Sequence, residues 1–182
     1  VSTCANCDGF FYKDKPVTVL GGGDTALEEA FYLSNICSDV YVVHRRDEFR
    51  AAPPTLDRVK RKENIHLITN SVIDEVLGDA MGVTGVNIKN NDGTMTHMDN
   101  TGLFVFVGNN VNNSVLKDGN GDFICDMNEW GQVIVDLRMR TSVEGIFAAG
   151  EIRIEAQKQV VSAAGDGEVA AITVTSSIQE KQ

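Results

Sequence analysis

One stretch near the start of the chain limits its folding more than any other. Val17–Leu20 is an apolar, mostly β-branched run, the glycines Gly21–Gly23 follow it, and strong helix formers begin at Asp24. This order predicts a strand, a tight turn and a helix. The glycines and Ala26 fit the G-x-G-x-x-G/A spacing, in which backbone N–H groups at a helix start face a pyrophosphate. A purely structural turn is the alternative interpretation.

The stretch after this helix extends the pattern to a βαβ unit. Leu27–Leu33 has an apolar face, and Val40–Val43 is typical of a second strand. In NAD-binding units that strand usually ends in an acid that binds the ribose. Here a basic loop follows it, with one histidine and three arginines: His44, Arg45, Arg46 and Arg50. Because guanidinium groups pair with phosphate in a bidentate fork, the loop favours NADPH, with a solvated basic loop as the alternative.

A cysteine pair precedes the glycine turn. Cys4 and Cys7 have the C-x-x-C spacing of a redox dithiol, and Asp8, which follows directly, is a candidate proton carrier. Half of a zinc site is the alternative, but zinc needs four ligands and the chain has no second C-x-x-C. We therefore expect a dithiol and no metal. Cys37 lies between apolar and small residues and is expected to be a buried, inert thiol.

Composition excludes several classes of partner. The chain has 182 residues, enough for one large or two small domains, and 42% of them are hydrophobic. Its net charge of −10 disfavours a nucleic-acid surface, because the basic cluster is local. No apolar run has the length of a membrane helix, and no signal peptide is visible. We expect no nucleic-acid or membrane partner and a cytoplasmic location.

The remaining patterns predict further strands and helices. Pro53 and Pro54 open a second helix to about Lys62, and a final helix begins near Gln159. A small antiparallel meander is predicted before an apolar strand at 103–107, and two more strands are predicted at 131–136 and 146–150. The aromatic residues expected to pack in the core are Phe10, Phe11, Tyr12, Phe123 and Trp130.

Four motifs occur together and in order, at Cys4–Phe11, Gly21–Ala26, His44–Ala51 and Met139–Gly150. With these motifs the chain resembles the low-molecular-weight thioredoxin reductases of bacteria, over nearly its whole length. The resemblance implies an α/β, three-layer Rossmann-like FAD/NAD(P)-binding fold with a small antiparallel β-meander. It also implies an NADPH-dependent flavoprotein enzyme. Electrons would pass through FAD to a Cys4–Cys7 disulfide and on to thioredoxin, in a protein that is a homodimer at full length.

The resemblance further implies a role for each motif residue. Cys7 is the thiolate that faces the flavin, Cys4 attacks the disulfide of thioredoxin, and Asp8 donates and accepts protons. The residues implied to bind NADPH are Gly21, Gly22, Gly23, Asp24, Thr25, His44, Arg45, Arg46 and Arg50. The residues implied to meet FAD are Gly150, Glu151, Lys158, Gln159 and Val160.

The same resemblance divides the chain. It implies an NADPH-binding domain with the dithiol at 1–113 and a C-terminal segment of the FAD-binding domain at 114–182. We expect the N-terminal FAD half to be absent, so that only half of the FAD site is present in this chain. Three residues depart from the family pattern: Glu151 stands where Asp is usual, Lys158 where Arg is common, and Asn6 where Thr is common.

Three alternative functions are compatible with these motifs. One is a related flavoprotein disulfide reductase that serves a peroxiredoxin, and another is a reductase that receives its electrons from ferredoxin. The basic loop disfavours the ferredoxin-dependent enzyme, since its arginines suit NADPH. The third alternative, from a different functional class, is a non-catalytic NADPH-binding fragment.

Overall fold

The chain divides into two units, Val1–Gly108 and Asn109–Gln182, and the computed structural model describes residues 1–180. The first unit is built on a parallel sheet of four strands: β1 (Val17–Gly21), β2 (Val40–Val43), β3 (Ile65–Ile68) and β7 (Gly102–Phe106). Their order across the sheet is β3-β2-β1-β7. The predicted βαβ unit is therefore present, and its β-branched strands lie in the middle of the sheet.

Three helices accompany this sheet. They are α1 (Ala5–Asp8), α2 (Asp24–Leu33) and α3 (Pro53–Lys60). The helix predicted after the glycine turn is confirmed as α2, and the one opened by two prolines as α3. The core between the sheet and these helices includes the fully buried Leu27, Leu33 and Phe104. The residues before α1 contact the sheet, because Ser2 forms a parallel β-bridge with Phe104 of β7.

The predicted meander is a second, antiparallel sheet. It contains β4 (Ser71–Asp79), β5 (Gly82–Asn90) and β6 (Met95–Asp99), in that order. The hairpin between β5 and β6 closes through Gly93, which has a φ of +88°, a backbone angle that favours glycine. Val86 and Ile88 are buried against Val43 of the parallel sheet. The α/β architecture with a small antiparallel meander is thus confirmed.

The second unit contains one long helix, α4 (Val160–Gln179), and two short 3₁₀ turns at Ser114–Leu116 and Gly150–Ile152. The strands predicted at 131–136 and 146–150 are wrong, since these segments form only isolated bridges such as Val133 with Arg153 and Arg140 with Phe147. A strand needs a neighbour along its length, and among the described residues each segment finds only single-residue partners. No helix of the described part of the chain is long and apolar enough to cross a membrane.

The aromatic residues divide into buried and exposed groups. Tyr12 packs edge-on against Phe104, with ring centroids 5.3 Å apart, as expected for a core residue. Phe10 and Phe11 are 75% and 72% exposed, Trp130 is 71% exposed and Phe123 is 40% exposed, so the prediction that these four pack in the core is wrong. A short 3₁₀ turn at Gly9–Tyr12 turns only Tyr12 toward the sheet. Cys37 is buried, and burial, followed by the nearby charge of Asp14, raises its pKa to about 11.

Candidate functional site

The glycine turn connects β1 directly to α2. A Cβ atom at Gly21 would lie 2.7 Å from the Cβ of Ala26 and 2.5 Å from the carbonyl oxygen of Phe106, so only glycine permits this close packing. Gly23 is the N-cap of α2 and has no side chain to cap the helix. A Cβ at Gly23 would meet no atom within 4 Å. The first turn of α2 therefore presents N–H donors to open space, as a pyrophosphate site requires.

The basic loop lies against this turn. The backbone N–H of Arg50 donates to the carbonyl oxygen of Gly22 at 2.8 Å. The carboxylate of Asp24, in the first turn of α2, accepts a hydrogen bond of 2.8 Å from the backbone N–H of Ala52. Arg45, Arg46 and Arg50 are exposed. Within residues 1–180 their guanidinium groups form no ion pair and no hydrogen bond, so their donors are available to an anionic ligand.

His44 is the buried member of the basic loop. Its Nε2 atom lies 3.1 Å from the carbonyl oxygen of Glu48, and its ring stacks on Phe49 at 5.0 Å. A Cβ atom at Gly22 would lie 2.2 Å from the Nδ1 atom of His44, so the imidazole forms one wall of the glycine turn. Burial lowers the pKa of His44, and the positive charges of the neighbouring arginines lower it further, against the opposing hydrogen bond to Glu48.

The cysteine pair forms a disulfide between Cys4 and Cys7. Cys4 is the N-cap of α1 and its sulfur accepts a 3.2 Å hydrogen bond from the backbone N–H of Cys7. The N–H of Cys4 itself donates to the hydroxyl of Ser2 at 3.1 Å. Cys4 is half-buried and Cys7 is exposed. The predicted dithiol is thus present in its oxidised form.

An apolar surface lies next to the disulfide. Asp8 ends α1 and is half-buried, and the exposed Phe10 and Phe11 follow it after Gly9. Adjacent exposed aromatic rings are unusual on a protein surface away from interaction sites. This surface is therefore suited to contact with another apolar surface.

The second unit brings most of the predicted flavin residues together. Gly150, Glu151, Lys158 and Gln159 line one shallow depression at the start of α4, and Val160 is the first residue of that helix. Gly150 has a φ of +78°, and a Cβ atom there would lie 3.5 Å from the Cβ of Ala163. Lys158 also has a left-handed backbone, with a φ of +53°, which is uncommon for a non-glycine residue. Gly150 and Ala163 thus lie within van der Waals contact distance beside the depression.

Residues 1–167 match the family model of the pyridine nucleotide-disulphide oxidoreductases. The chain belongs to the pyridine nucleotide-disulphide oxidoreductase family. The glycine turn, the basic loop and the disulfide all lie within the matched region.

Several proteins of known name are similar to this chain. The chain is 54% identical to the thioredoxin reductase of Helicobacter pylori, over 98% of this chain and 58% of that protein. A solved structure of thioredoxin reductase from Streptococcus pyogenes matches with a TM-score of 0.89 and 38% identity, over 98% of this chain and 57% of that one. The glucosaminate ammonia-lyase of Pseudomonas fluorescens is also 44% identical, over 94% and 54% of the two chains. The chain thus spans somewhat more than half the length of these relatives.

Two features of this oxidoreductase were missed by sequence reasoning. In the second unit, Arg153 binds Asp166 of α4 through two hydrogen bonds of 2.6 and 2.7 Å, and Asp166 also accepts a 3.1 Å bond from the N–H of Gly150. The Arg153 guanidinium, followed by the Gly150 N–H, holds the pKa of Asp166 below its ordinary value. In the first unit, Glu29 of α2 contacts the dithiol helix. An Asp on a helix rich in small residues was the sequence signal that could have indicated the Arg153–Asp166 pair.

Proposed function

We propose that the chain is the NADPH-binding and dithiol part of a thioredoxin-disulfide reductase, together with the C-terminal part of its FAD site. The observation that carries this proposal is the Cys4–Cys7 disulfide in the same unit as an open glycine turn and three arginines that form no ion pair within residues 1–180. A dithiol and a 2′-phosphate-binding loop in one domain suit an enzyme that takes electrons from NADPH and delivers them to a disulfide. The names of the relatives from H. pylori and S. pyogenes support the same reaction.

The proposal assigns a binding role to each part of the candidate site. The N–H groups of the first turn of α2 bind the pyrophosphate, with Gly21, Gly22, Gly23 and the neighbouring Asp24 and Thr25 shaping the turn. The guanidinium groups of the basic loop bind the 2′-phosphate, and His44 positions that loop. Gly150, Glu151, Lys158, Gln159 and Val160 would hold FAD, which would supply the redox chemistry between NADPH and the Cys4–Cys7 disulfide.

The dithiol then transfers its electrons by thiol–disulfide exchange. The Cys4 thiolate attacks one sulfur of the thioredoxin disulfide, forms a mixed disulfide and releases a thioredoxin thiolate. Cys7 attacks Cys4, which restores the Cys4–Cys7 bond and releases the second thioredoxin thiolate. Asp8 carries protons for the departing thiolates. We place this reaction in the cytoplasm, where thioredoxin keeps protein thiols reduced, and by resemblance in a full-length homodimer.

A single-turnover experiment tests this proposal on the 182-residue chain. The chain is reduced with dithiothreitol, freed of reductant and mixed with oxidised thioredoxin, and the thioredoxin thiols are counted. We expect the wild type to transfer one electron pair. Cys4→Ser should transfer nothing, whereas Cys7→Ser should accumulate a mixed disulfide with thioredoxin, because the resolving thiol is gone. The buried Cys37 provides the control, since Cys37→Ala should transfer as the wild type does.

The opposite outcomes are equally informative. Transfer by Cys4→Ser at the wild-type rate would overturn the assignment of Cys4. A reduced wild type that binds NADPH but transfers nothing to thioredoxin would favour the non-catalytic NADPH-binding fragment. Fast reduction of a peroxiredoxin partner in place of thioredoxin would favour the related flavoprotein.

A further inference from the structure

Glu29 lies on α2 at the point where the dithiol helix crosses it. Its carboxylate accepts a hydrogen bond from the backbone N–H of Ala5, the residue that follows Cys4 and begins α1. Its second oxygen, Oε2, is buried and has no hydrogen-bond partner among the described residues. A buried carboxylate oxygen without a partner costs free energy, and such a group is a natural place for a proton.

The packing of the two helices fixes this contact. Ala5 and Leu33 are fully buried, and a Cβ atom at Gly9 would lie 3.0 Å from the Cδ2 atom of Leu33. The segment that carries the disulfide therefore rests directly on the second half of α2. Because the Glu29 carboxylate is bonded to the N–H of Ala5, the residue joined directly to Cys4, it lies close to the dithiol segment.

The charges around Glu29 are mostly negative. On its own helix, Glu28 is adjacent, and on the dithiol helix the ionisable groups are Asp8 and the two cysteines. On α3 the charged residues are Asp57, Arg58 and Lys60, and Arg58 is directed to the ring of Phe31 at 4.3 Å. The strands β1, β2 and β7 carry no charged residue. Burial, followed by the charge of Glu28, raises the pKa of Glu29, against the opposing Ala5 N–H.

We propose that Glu29 is a positioning residue of the dithiol that takes up a proton when the Cys4–Cys7 disulfide is reduced and releases it when the disulfide re-forms. In the reduction, two electrons from a dithiol reductant break the S–S bond and leave one thiolate and one thiol, which takes a proton from solvent. The new thiolate is a second negative charge beside the carboxylate. A second proton therefore binds at Oε2 of Glu29, because two like charges in adjacent sites disfavour each other's ionisation.

This inference rests on a reducible Cys4–Cys7 pair but not on thioredoxin or FAD, so it can be tested separately from the proposed function. The first measurement is an infrared difference spectrum of the 182-residue chain between its disulfide form and its dithiothreitol-reduced form. We expect reduction to produce a band of a protonated carboxyl group. The band should persist in Asp8→Asn and be absent in Glu29→Gln. A wild type without the band, or a Glu29→Gln variant that keeps it, would overturn the proposal.

The second measurement is the pH dependence of the dithiol–disulfide midpoint potential in dithiothreitol buffers. A two-electron couple changes by about 30 mV per pH unit for each proton taken up. We expect the wild type to keep a slope of about 60 mV per pH unit to higher pH than Glu29→Gln, because the paired sites hold two protons. The break to about 30 mV per pH unit should lie at least about one pH unit lower in Glu29→Gln.

Glu28→Gln is the matched control for this measurement. It removes a carboxylate from the same helix without touching Ala5, and because the charge of Glu28 is a lesser cause of the raised pKa of Glu29 than burial, its break should move much less than that of Glu29→Gln. A break at the same pH in the wild type and Glu29→Gln would contradict the coupling, as would an equal shift in Glu28→Gln. If Glu29→Gln fails to fold, the infrared band of the wild type and of Asp8→Asn decides the question.

Discussion

The backbone N–H of Arg50 donates a 2.8 Å hydrogen bond to the carbonyl oxygen of Gly22. This bond connects the end of the basic loop to the glycine turn. A second bond joins the same two segments: the backbone N–H of Ala52 donates to the carboxylate of Asp24, 28 residues earlier in the chain. The proposed pyrophosphate and 2′-phosphate parts of the nucleotide site are therefore joined by one backbone hydrogen bond and one bond to the Asp24 carboxylate. The side chains of Arg45, Arg46 and Arg50 form no ion pair within residues 1–180, so they remain available to bind a phosphate group.

Arg45→Ala combined with Arg46→Ala should weaken NADPH binding on the order of 100-fold and leave NADH binding nearly unchanged. The reason is that each lost charge-assisted hydrogen bond costs about 1.5–3 kcal/mol, and NADH has no 2′-phosphate. Titration calorimetry with both nucleotides measures the effect. Arg61→Ala, an exposed arginine at the end of α3, is the control. Equal losses for NADPH and NADH would show that the arginines serve the fold.

Gly22→Ala and Gly23→Ala should separate stability from binding. The new methyl group at residue 22 would overlap the imidazole of His44, which is buried and held by Glu48, so we expect a loss of about 1–3 kcal/mol in the free energy of unfolding. At residue 23 the methyl group enters open space, so Gly23→Ala should fold normally but bind NADPH weakly. Urea unfolding and nucleotide titration check both, and a reversal of the two phenotypes would refute the assignment.

His44 should make the first unit less stable in mild acid. Its folded-state pKa lies below the ordinary 6.5, so below that value the unfolded chain binds a proton that the folded chain does not. The stability that neutral His44 contributes is therefore fully present above 6.5 and is lost as the pH falls through the lower, folded-state pKa. Melting curves from about pH 7.5 to about pH 5.5 measure this. His44→Gln should flatten the dependence, and the control His97→Gln should preserve it.

Asp166→Asn should destabilise the second unit by about 3 kcal/mol, because it leaves the largely buried Arg153 without its counter-charge. Far-UV circular dichroism during urea unfolding measures the loss in α4. Glu168→Gln, on the exposed side of the same helix, is the control and should change stability little. The Arg153–Asp166 pair should also stabilise the second unit less in acid, because Asp166 contributes only while it is ionised. This contribution is complete above the unfolded-state pKa of the carboxyl group. It is lost as the pH falls through the lowered folded-state pKa of Asp166.

The 182-residue chain should bind NADPH but hold FAD weakly or not at all. It contains one glycine fingerprint, which NADPH occupies in the proposed function, and the flavin residues line only a shallow depression. Absorbance of the purified chain tests this. Stoichiometric FAD would contradict it.

Local patterns were sufficient to predict most of the first unit. The β-branched run before Gly21, the proline pair before Thr55 and the Asn-Asp-Gly turn at 91–93 each correspond to a strand, a helix or a hairpin in the structure. These signals act within a few residues, because glycine, proline and β-branched side chains restrict the backbone at their own positions. The family motifs predicted which residues form the candidate site, and their roles stay predictions.

Contacts between distant segments decided the rest. The strands predicted at 131–136 and 146–150 depend on neighbours that the local pattern does not supply, and they form only single bridges. Phe10, Phe11 and Trp130 have core-like side chains, but their exposure is set by which surface the backbone turns them toward. Sequence alone determined the strand–turn–helix and the basic loop. Only the tertiary structure brought Glu29 to Ala5 and Asp166 to Arg153, because hydrogen bonds between distant residues depend on packing rather than on local propensity.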